Sequence, residues 1–164
     1  MRAILLLIGV AGLAGCGRDS PTGPGPATGP VVEENRGPPA GYRAAVADYL
    51  REARAAADVL GRAPPPPAAT AEDAAKRVND LYNRLPPAPA GWDRKADLEV
   101  LLKRINEETT LGATWAAKAD RAARGAKTGE ESELVRKYGE SLKEAVKTIR
   151  DRADQADGIL SPRK

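Results

Sequence analysis

The residue types that most often do chemistry in proteins are scarce in this chain. It contains no histidine, so the commonest general base and the commonest transition-metal ligand are both missing. Its single cysteine, Cys16, cannot form a disulfide within the chain and has no histidine to activate its thiol as a nucleophile. We therefore predict that the protein is not an enzyme.

Carboxylates are the remaining candidates for metal ligands, in the pair Glu107-Glu108 and in the row Asp151, Asp154 and Asp157. Helical di-iron sites require a Glu-x-x-His pair, which a chain without histidine cannot supply. Aspartates spaced three apart lie on one face of a helix, unlike the alternating ligands of a calcium loop. We predict a solvated acidic surface, with neither a metal site nor any other cofactor.

Basic side chains form a third group, the row Lys118, Arg121, Arg124 and Lys127. Such a row is a candidate contact for anionic lipid head groups or for an anionic polymer of the cell envelope. The alternative is that these cations only complement the negative end of a helix macrodipole. The formal net charge of the chain is +3, and this small value argues against nucleic acid as a partner.

The N-terminal residues have the order of a secretory signal. Arg2 supplies a positive charge, residues 3–12 are apolar, and small residues follow. The apolar run is shorter than the roughly 20 residues with which a helix spans a bilayer. The sequence therefore predicts a signal peptide over residues 1–15 rather than a membrane-spanning anchor.

The motif Leu13-Ala14-Gly15-Cys16 resembles the lipobox of bacterial lipoproteins at all four positions. The resemblance implies cleavage between Gly15 and Cys16 and the attachment of lipid, palmitate included, to Cys16. It also implies a lipid-anchored location in the bacterial cell envelope. In such lipoproteins an Asp after the cysteine favours retention in the inner membrane, so the resemblance implies that Gly17 permits sorting to the outer membrane or a periplasm-facing site. An ordinary secretory signal with a coincidental cysteine is the alternative.

The next segment is rich in Pro and Gly. Residues 17–41 hold almost no apolar side chain that could be buried, so they cannot offset the entropy that ordering would cost. We predict a disordered tether over residues 16–41, which joins the lipidated cysteine to a domain over residues 42–164.

From Tyr42 onward, apolar residues recur at the three- and four-residue spacing of amphipathic helices. This pattern predicts helix A over about 42–62, helix B from an N-cap at Thr70, helix C from about Trp92, and helix D after a turn over residues 125–129. No segment has the alternation of a strand. The predicted fold is an all-α antiparallel bundle of three to four helices, in which helices C and D form a long hairpin and helix D has a coiled-coil-like heptad.

The apolar stripes of these helices are narrow and rich in Ala. A core of this kind is thin for its length, so we expect an external partner or a second copy to cover one face. The predicted core positions are Val46, Tyr49, Leu50, Ala53, Ala57 and Leu60 in helix A; Ala74, Val78, Leu81, Tyr82 and Leu85 in helix B; Leu98, Leu101, Leu102, Ile105, Gly112, Ala116 and Ala119 in helix C; and Val135, Tyr138, Leu142, Ala145, Ile149, Ala153, Ala156 and Leu160 in helix D.

A lipidated cysteine followed by a heptad-like helix and a final Arg163-Lys164 is similar to the murein lipoprotein of Gram-negative bacteria. In that family the terminal lysine is joined to peptidoglycan, which implies a covalent link through Lys164 here. The family's tyrosine before this pair is replaced by Pro162. A helix D of about 30 residues would add roughly 45 Å to the reach of the lysine.

These features lead to one expected function and two alternatives. We expect a non-enzymatic, membrane-anchored lipoprotein whose helical bundle binds an envelope protein or forms a homo-oligomer. The alternatives are a structural lipoprotein linked to the cell wall through Lys164, and a binder of anionic polymer or lipid through the basic row.

Overall fold

The computed structural model describes residues 37–125 and 129–161. Within these ranges the chain forms four α-helices and no strand: α1 (Ala40–Leu60), α2 (Ala68–Asn83), α3 (Lys95–Gly125) and α4 (Gly129–Leu160). The all-α prediction is confirmed, and α1 to α4 correspond to helices A to D. The predicted signal peptide, Cys16 and the predicted tether up to residue 36 lie outside the described residues.

Proline residues stand immediately before the first two helices. Pro39 precedes α1 with a φ of −51°, and Pro67 precedes α2 with a φ of −54°. Their carbonyls accept backbone hydrogen bonds from the first helical turns at 3.0 and 3.1 Å. A proline suits this place because its φ is fixed and its missing N–H is not needed there. The predicted N-cap at Thr70 is therefore wrong, since α2 already begins at Ala68.

The start of α3 also differs from the prediction, because the helix begins at Lys95 rather than near Trp92. Gly91 adopts a φ of 79°, in the left-handed region that favours glycine, within the turn that precedes α3. The amide of Lys95 then bonds the carbonyl of Trp92 at 3.3 Å. This turn reverses the chain after α2 and sets the direction of the long helix that follows.

The four helices pack in a ring in which each contacts the next, and α4 closes the ring against α1. Pairs of contacts show that neighbouring helices run antiparallel. The amide of Ala68 bonds Asp120, while Asn79, further along α2, bonds Asn106, which lies earlier in α3. In the same way Arg54 bonds Asp154, while Asp58, further along α1, bonds Arg150, which lies earlier in α4. The hairpin of α3 and α4 has the most extensive contact. The predicted antiparallel bundle and its long C-terminal hairpin are confirmed.

The core consists largely of the predicted positions. All six of those in helix A are buried, as are most of those in α3 and α4. Tyr49 is fully buried, and its hydroxyl donates to the carbonyl of Leu102 at 2.9 Å. Hydrogen bonding of this kind allows a phenol inside an apolar core. In a chain without phenylalanine, Tyr49 therefore supplies the aromatic bulk at the centre of the bundle.

Two predicted core positions in helix D, Val135 and Tyr138, are only half-buried. The reason is that α1 is too short to cover them. It ends at Leu60, whose side chain packs against Gly112 of α3. The tip of the α3–α4 hairpin extends past this level. Periodicity alone does not show this difference, because it does not reveal how far a neighbouring helix reaches.

Candidate functional site

The basic row is the predicted site that the structure describes best, although Lys127 lies outside the described residues. Lys118 places its ammonium 4.5 Å from the ring centroid of Trp115 and 5.9 Å from that of Tyr138. The two rings stack at 5.9 Å with an interplanar angle of 20°. A cation over an aromatic face gains about 0.5–1 kcal/mol at an exposed site. The ammonium of Lys118 is thus already engaged within the chain.

A second cation of the row, Arg124, pairs with the Asp120 carboxylate one turn earlier in α3. That carboxylate also accepts a hydrogen bond from the backbone N–H of Ala68 at 3.1 Å, so it caps the start of α2 from another helix. Arg121 is exposed, and none of the side chains that the structure describes forms an ion pair with it. Of the three cations of the row that the structure describes, Lys118 and Arg124 make contacts within the chain and Arg121 does not.

Several of the acidic side chains named in the sequence analysis have partners within the chain. Arg54 of α1 donates to Asp154 and to Asp157 of α4, each at 2.9 Å. Glu108 pairs with Arg104 at 2.7 Å and is only 7% exposed, so the prediction of a solvated acidic surface is wrong for this residue. In residues 37–125 and 129–161 no group of three acidic or thiol side chains is arranged to hold a metal ion.

An exposed apolar residue that the sequence analysis did not predict lies on α3. Val100 is 67% exposed and is the most exposed large hydrophobic residue in the described part of the chain. The helical stripe placed Leu98, Leu101 and Leu102 towards the core, and α3 presents Val100 on the opposite face. The signal was present in the sequence as an apolar residue that does not fit the stripe.

An apolar groove of about 550 Å³ lies beside this residue, and we call it the Val100 groove. Its walls come from α1, from the end of α2 with the connection after it, and from α3; they include Tyr42, Tyr82, Leu85, Pro86 and Val100. Lys103 and Glu99 also line it. The groove is thus mainly apolar with a small number of charged groups.

An aromatic contact and two prolines restrain the walls of the Val100 groove. Tyr42 is only 7% exposed and packs edge-on against Trp92, with ring centroids 6.1 Å apart and an interplanar angle of 70°. Pro86 and Pro87 restrict the backbone that forms the opposite wall. Two further grooves on the α4 side of α3 also have Val100 in their lining. Val100 therefore stands on a ridge between depressions.

The Val100 groove lies at one particular end of the bundle. Tyr42 near the start of α1 meets Trp92, and Arg94 just before α3 donates to the carbonyl of Ile159 near the end of α4 at 3.4 Å. The chain therefore enters the bundle at Ala40 and leaves it after Leu160 at the same end, which we call the entry end. The basic row lies towards the other end, where Asp120 meets Ala68.

This topology corrects one step of the cell-wall hypothesis. Lys164 lies outside the described residues, but α4 runs back to the entry end before the chain reaches it. The length of α4 therefore does not separate Ala40, where the bundle begins, from Leu160, where it ends. The expected gain of roughly 45 Å from helix D is wrong, because an even number of antiparallel helices returns the chain to its starting end.

None of the helices in the two described ranges is both long and apolar enough to cross a bilayer. Comparison with models of protein families, with curated proteins and with solved structures found no match for this chain.

Proposed function

We propose that this protein is a non-enzymatic bacterial lipoprotein, anchored in the cell envelope through Cys16, whose helical bundle binds another protein. The observation that carries the proposal is the exposed Val100 beside an apolar groove at the entry end of the bundle. The lipobox-like motif supplies the envelope location.

The Val100 groove has the chemistry of a protein-binding surface. Interfaces combine an apolar, desolvated centre with a polar rim, and a few residues, most often Trp, Tyr and Arg, carry most of their affinity. Tyr42, Tyr82 and Leu85 provide such a centre, while Glu99 and Lys103 supply polar groups. Burying one Val side chain contributes about 1.5–3 kcal/mol. A partner that covers Val100 therefore gains a substantial share of its binding energy at one position.

The position of the groove indicates where such a partner lies. The entry end is the end at which the chain comes from its N-terminal segment, so a lipid on Cys16 tethers the bundle from that side. The 24 residues from Cys16 to Pro39 span at most about 80 Å when fully extended. We therefore propose a partner in the same membrane or attached to the same surface.

Site-specific photo-crosslinking in native membranes tests this proposal. A photoreactive residue at Val100 should capture a protein, and the same residue at Lys147 should not. Lys147 is a matched control because it is exposed on α4, away from the Val100 groove. An absence of adducts at position 100, or equal adducts at both positions, would contradict a binding role for the groove.

A second candidate function uses the basic row. Arg121 is exposed at the end of the bundle opposite the entry end, and α3, with 31 residues, extends about 45 Å in that direction. A lipid-anchored bundle thus presents Arg121 to an anionic envelope polymer. Salt-dependent co-sedimentation with isolated cell wall tests it: Arg121→Gln should weaken binding, and Arg51→Gln on α1 should leave it unchanged.

A further inference from the structure

The outward side of α3 carries two exposed apolar residues in one line. Val100 and Leu111 are 67% and 42% exposed, and both lie on the side of α3 that faces away from the core. They are eleven residues apart, which is close to three helical turns, or about 16 Å along the axis. Arg104 and Glu107 lie between them and are also exposed, with side chains 55% and 50% accessible. We call these four residues the α3 ridge.

The order of residues along the α3 ridge is self-complementary. When a second α3 lies antiparallel across it, about a twofold axis midway between Arg104 and Glu107, Val100 meets Leu111 of the second copy. Arg104 then meets Glu107 of the second copy, and the symmetry repeats both contacts. A twofold interface needs this property, because the same patch must complement itself.

We propose that two copies of this chain form a dimer through the α3 ridge, antiparallel about that twofold axis. The proposal rests on the proposed role of the bundle as a protein-binding module, and it names a second copy of this chain as the partner. An unrelated partner requires no such palindromic order of apolar and charged residues along one helix, whereas a second copy does.

The charges of the α3 ridge fit this arrangement. Within one chain, Arg104 already lies 3.7 Å from Glu107 and 2.7 Å from Glu108. Pairing two copies brings two such sets together with alternating sign, so that each Arg104 gains a third carboxylate, that of Glu107 in the second copy. Networks of this kind contribute more than isolated surface pairs do. The apolar residues at both ends of the ridge then shield the charges from water.

The grooves beside Val100 make room for a close approach of the two helices. Packed helices lie about 8–10 Å apart, and side chains of one enter depressions of the other. The Val100 groove on the α2 side and the two further grooves on the α4 side flank the ridge. Leu111 of the second copy therefore lies over Val100 with a depression available on either side.

Disulfide trapping tests the register of the dimer. The full chain, in its own host membranes, is made with Val100→Cys in one tagged copy and Leu111→Cys in another. Facing α-carbons fall within the range that a disulfide tolerates only in the mixed pair, so mixed crosslinks should exceed those of either variant alone at least about tenfold. The unmodified chain, with Cys16 as its single cysteine, is the background control.

A mass measurement on the purified lipidated chain in detergent gives an independent readout. The unmodified chain should contain two copies per particle, and Val100→Glu should contain one, with its helical circular dichroism retained because position 100 is exposed. Leu134→Glu is the matched control: Leu134 is 41% exposed on α4, away from the ridge, so this variant should stay dimeric.

The outcomes separate this inference from the proposed function. Equal crosslinking of the single-cysteine variants, or a monomeric unmodified chain, overturns the dimer. If photo-crosslinking at Val100 then captures a different protein, the binding role of the groove stands, but the partner is not a second copy of this chain. If position 100 captures nothing, the binding role fails as well.

Discussion

The side chain of Leu60, the last residue of α1, lies against Gly112 in the middle of α3. Its Cδ1 is 3.0 Å from the position that a Cβ on Gly112 would occupy. Leu60 is fully buried, with Ala145 and Leu142 of α4 close to the same point. The glycine therefore allows three helices to meet at this level, although glycine is a poor helix former.

Gly112→Ala should destabilise the protein by about 1 kcal/mol. Alanine gains about 0.8–1 kcal/mol in helix propensity, but crowding a buried side chain typically costs about 1–3 kcal/mol. Gly139→Ala on α4 is the matched control, because a Cβ there meets no atom within 4 Å. It should stabilise by about 0.5–1 kcal/mol. Urea unfolding measures the free energy of unfolding of both variants. Equal stabilisation by the two would show that the Leu60 side chain moves aside at no cost, which would contradict the prediction.

Tyr49→Phe should cost about 0.5–1.5 kcal/mol, the net contribution of one buried hydrogen bond. The lost bond is the one from the Tyr49 hydroxyl to the carbonyl of Leu102. Tyr82→Phe serves as the control, since Tyr82 is half-buried and its ring lies 5.9 Å from that of Tyr49. Chemical denaturation at neutral pH compares the two. A larger loss for Tyr82→Phe would place the important hydroxyl elsewhere.

The stability of the protein at alkaline pH should depend on Tyr49. Burial raises the pKa of its phenol above the ordinary value of 10.0, and the neighbouring Tyr82 raises it further. The folded state therefore keeps the proton while the unfolded state releases it, so stability is full below pH 10.0 and falls above it. The slope attributable to this group is at most about 1.4 kcal/mol per pH unit.

Tyr49→Phe removes the titrating group and should flatten the stability curve above pH 10.0 relative to the unmodified chain. Unfolding curves recorded at several alkaline pH values measure the difference. Lysines titrate equally in both proteins, so their effect cancels in the comparison. Parallel curves for the two proteins would contradict the assignment to Tyr49.

Arg54→Ala should destabilise by about 0.5–1 kcal/mol, and salt should reduce the effect. Arg54 joins α1 to α4 through Asp154 and Asp157, and its side chain is 36% exposed. Arg51→Ala is the control, since Arg51 pairs only along its own helix, with Asp48, and is 78% exposed. Thermal unfolding at low and high salt gives both values. Indistinguishable variants would mean that the link between the helices contributes nothing measurable.

Cys16→Ala should abolish lipid attachment. The unmodified chain should incorporate labelled palmitate and sediment with membranes, because two or three acyl chains, at about 0.8 kcal/mol per buried CH₂, hold a protein there durably. The variant should accumulate as an unlabelled precursor. An unmodified chain that is soluble and unlabelled in its own host would refute the lipobox interpretation.

Local patterns in the sequence determined the four helices and most of the core. The positions from Val46 to Leu60 in helix A were predictable because helical periodicity depends on neighbours three and four residues away, within one segment. The prolines and glycines between segments marked where helices stop. The placement of Pro39 and Pro67 directly before helices follows from the same local geometry, although the N-cap was assigned to Thr70.

Tertiary structure alone decided which groups on different helices meet. The cap of α2 is the Asp120 carboxylate of α3, 52 residues away in sequence, and Arg54 reaches Asp154 across 100 residues. Helical spacing shows which residues share a face but not which helix, if any, covers that face. Val100 is recognisable in the sequence as an apolar residue outside the stripe of α3, but only the packing of the helices shows that no helix covers it and that it is 67% exposed. The return of α4 to the entry end was likewise fixed only when four amphipathic helices buried their apolar faces together.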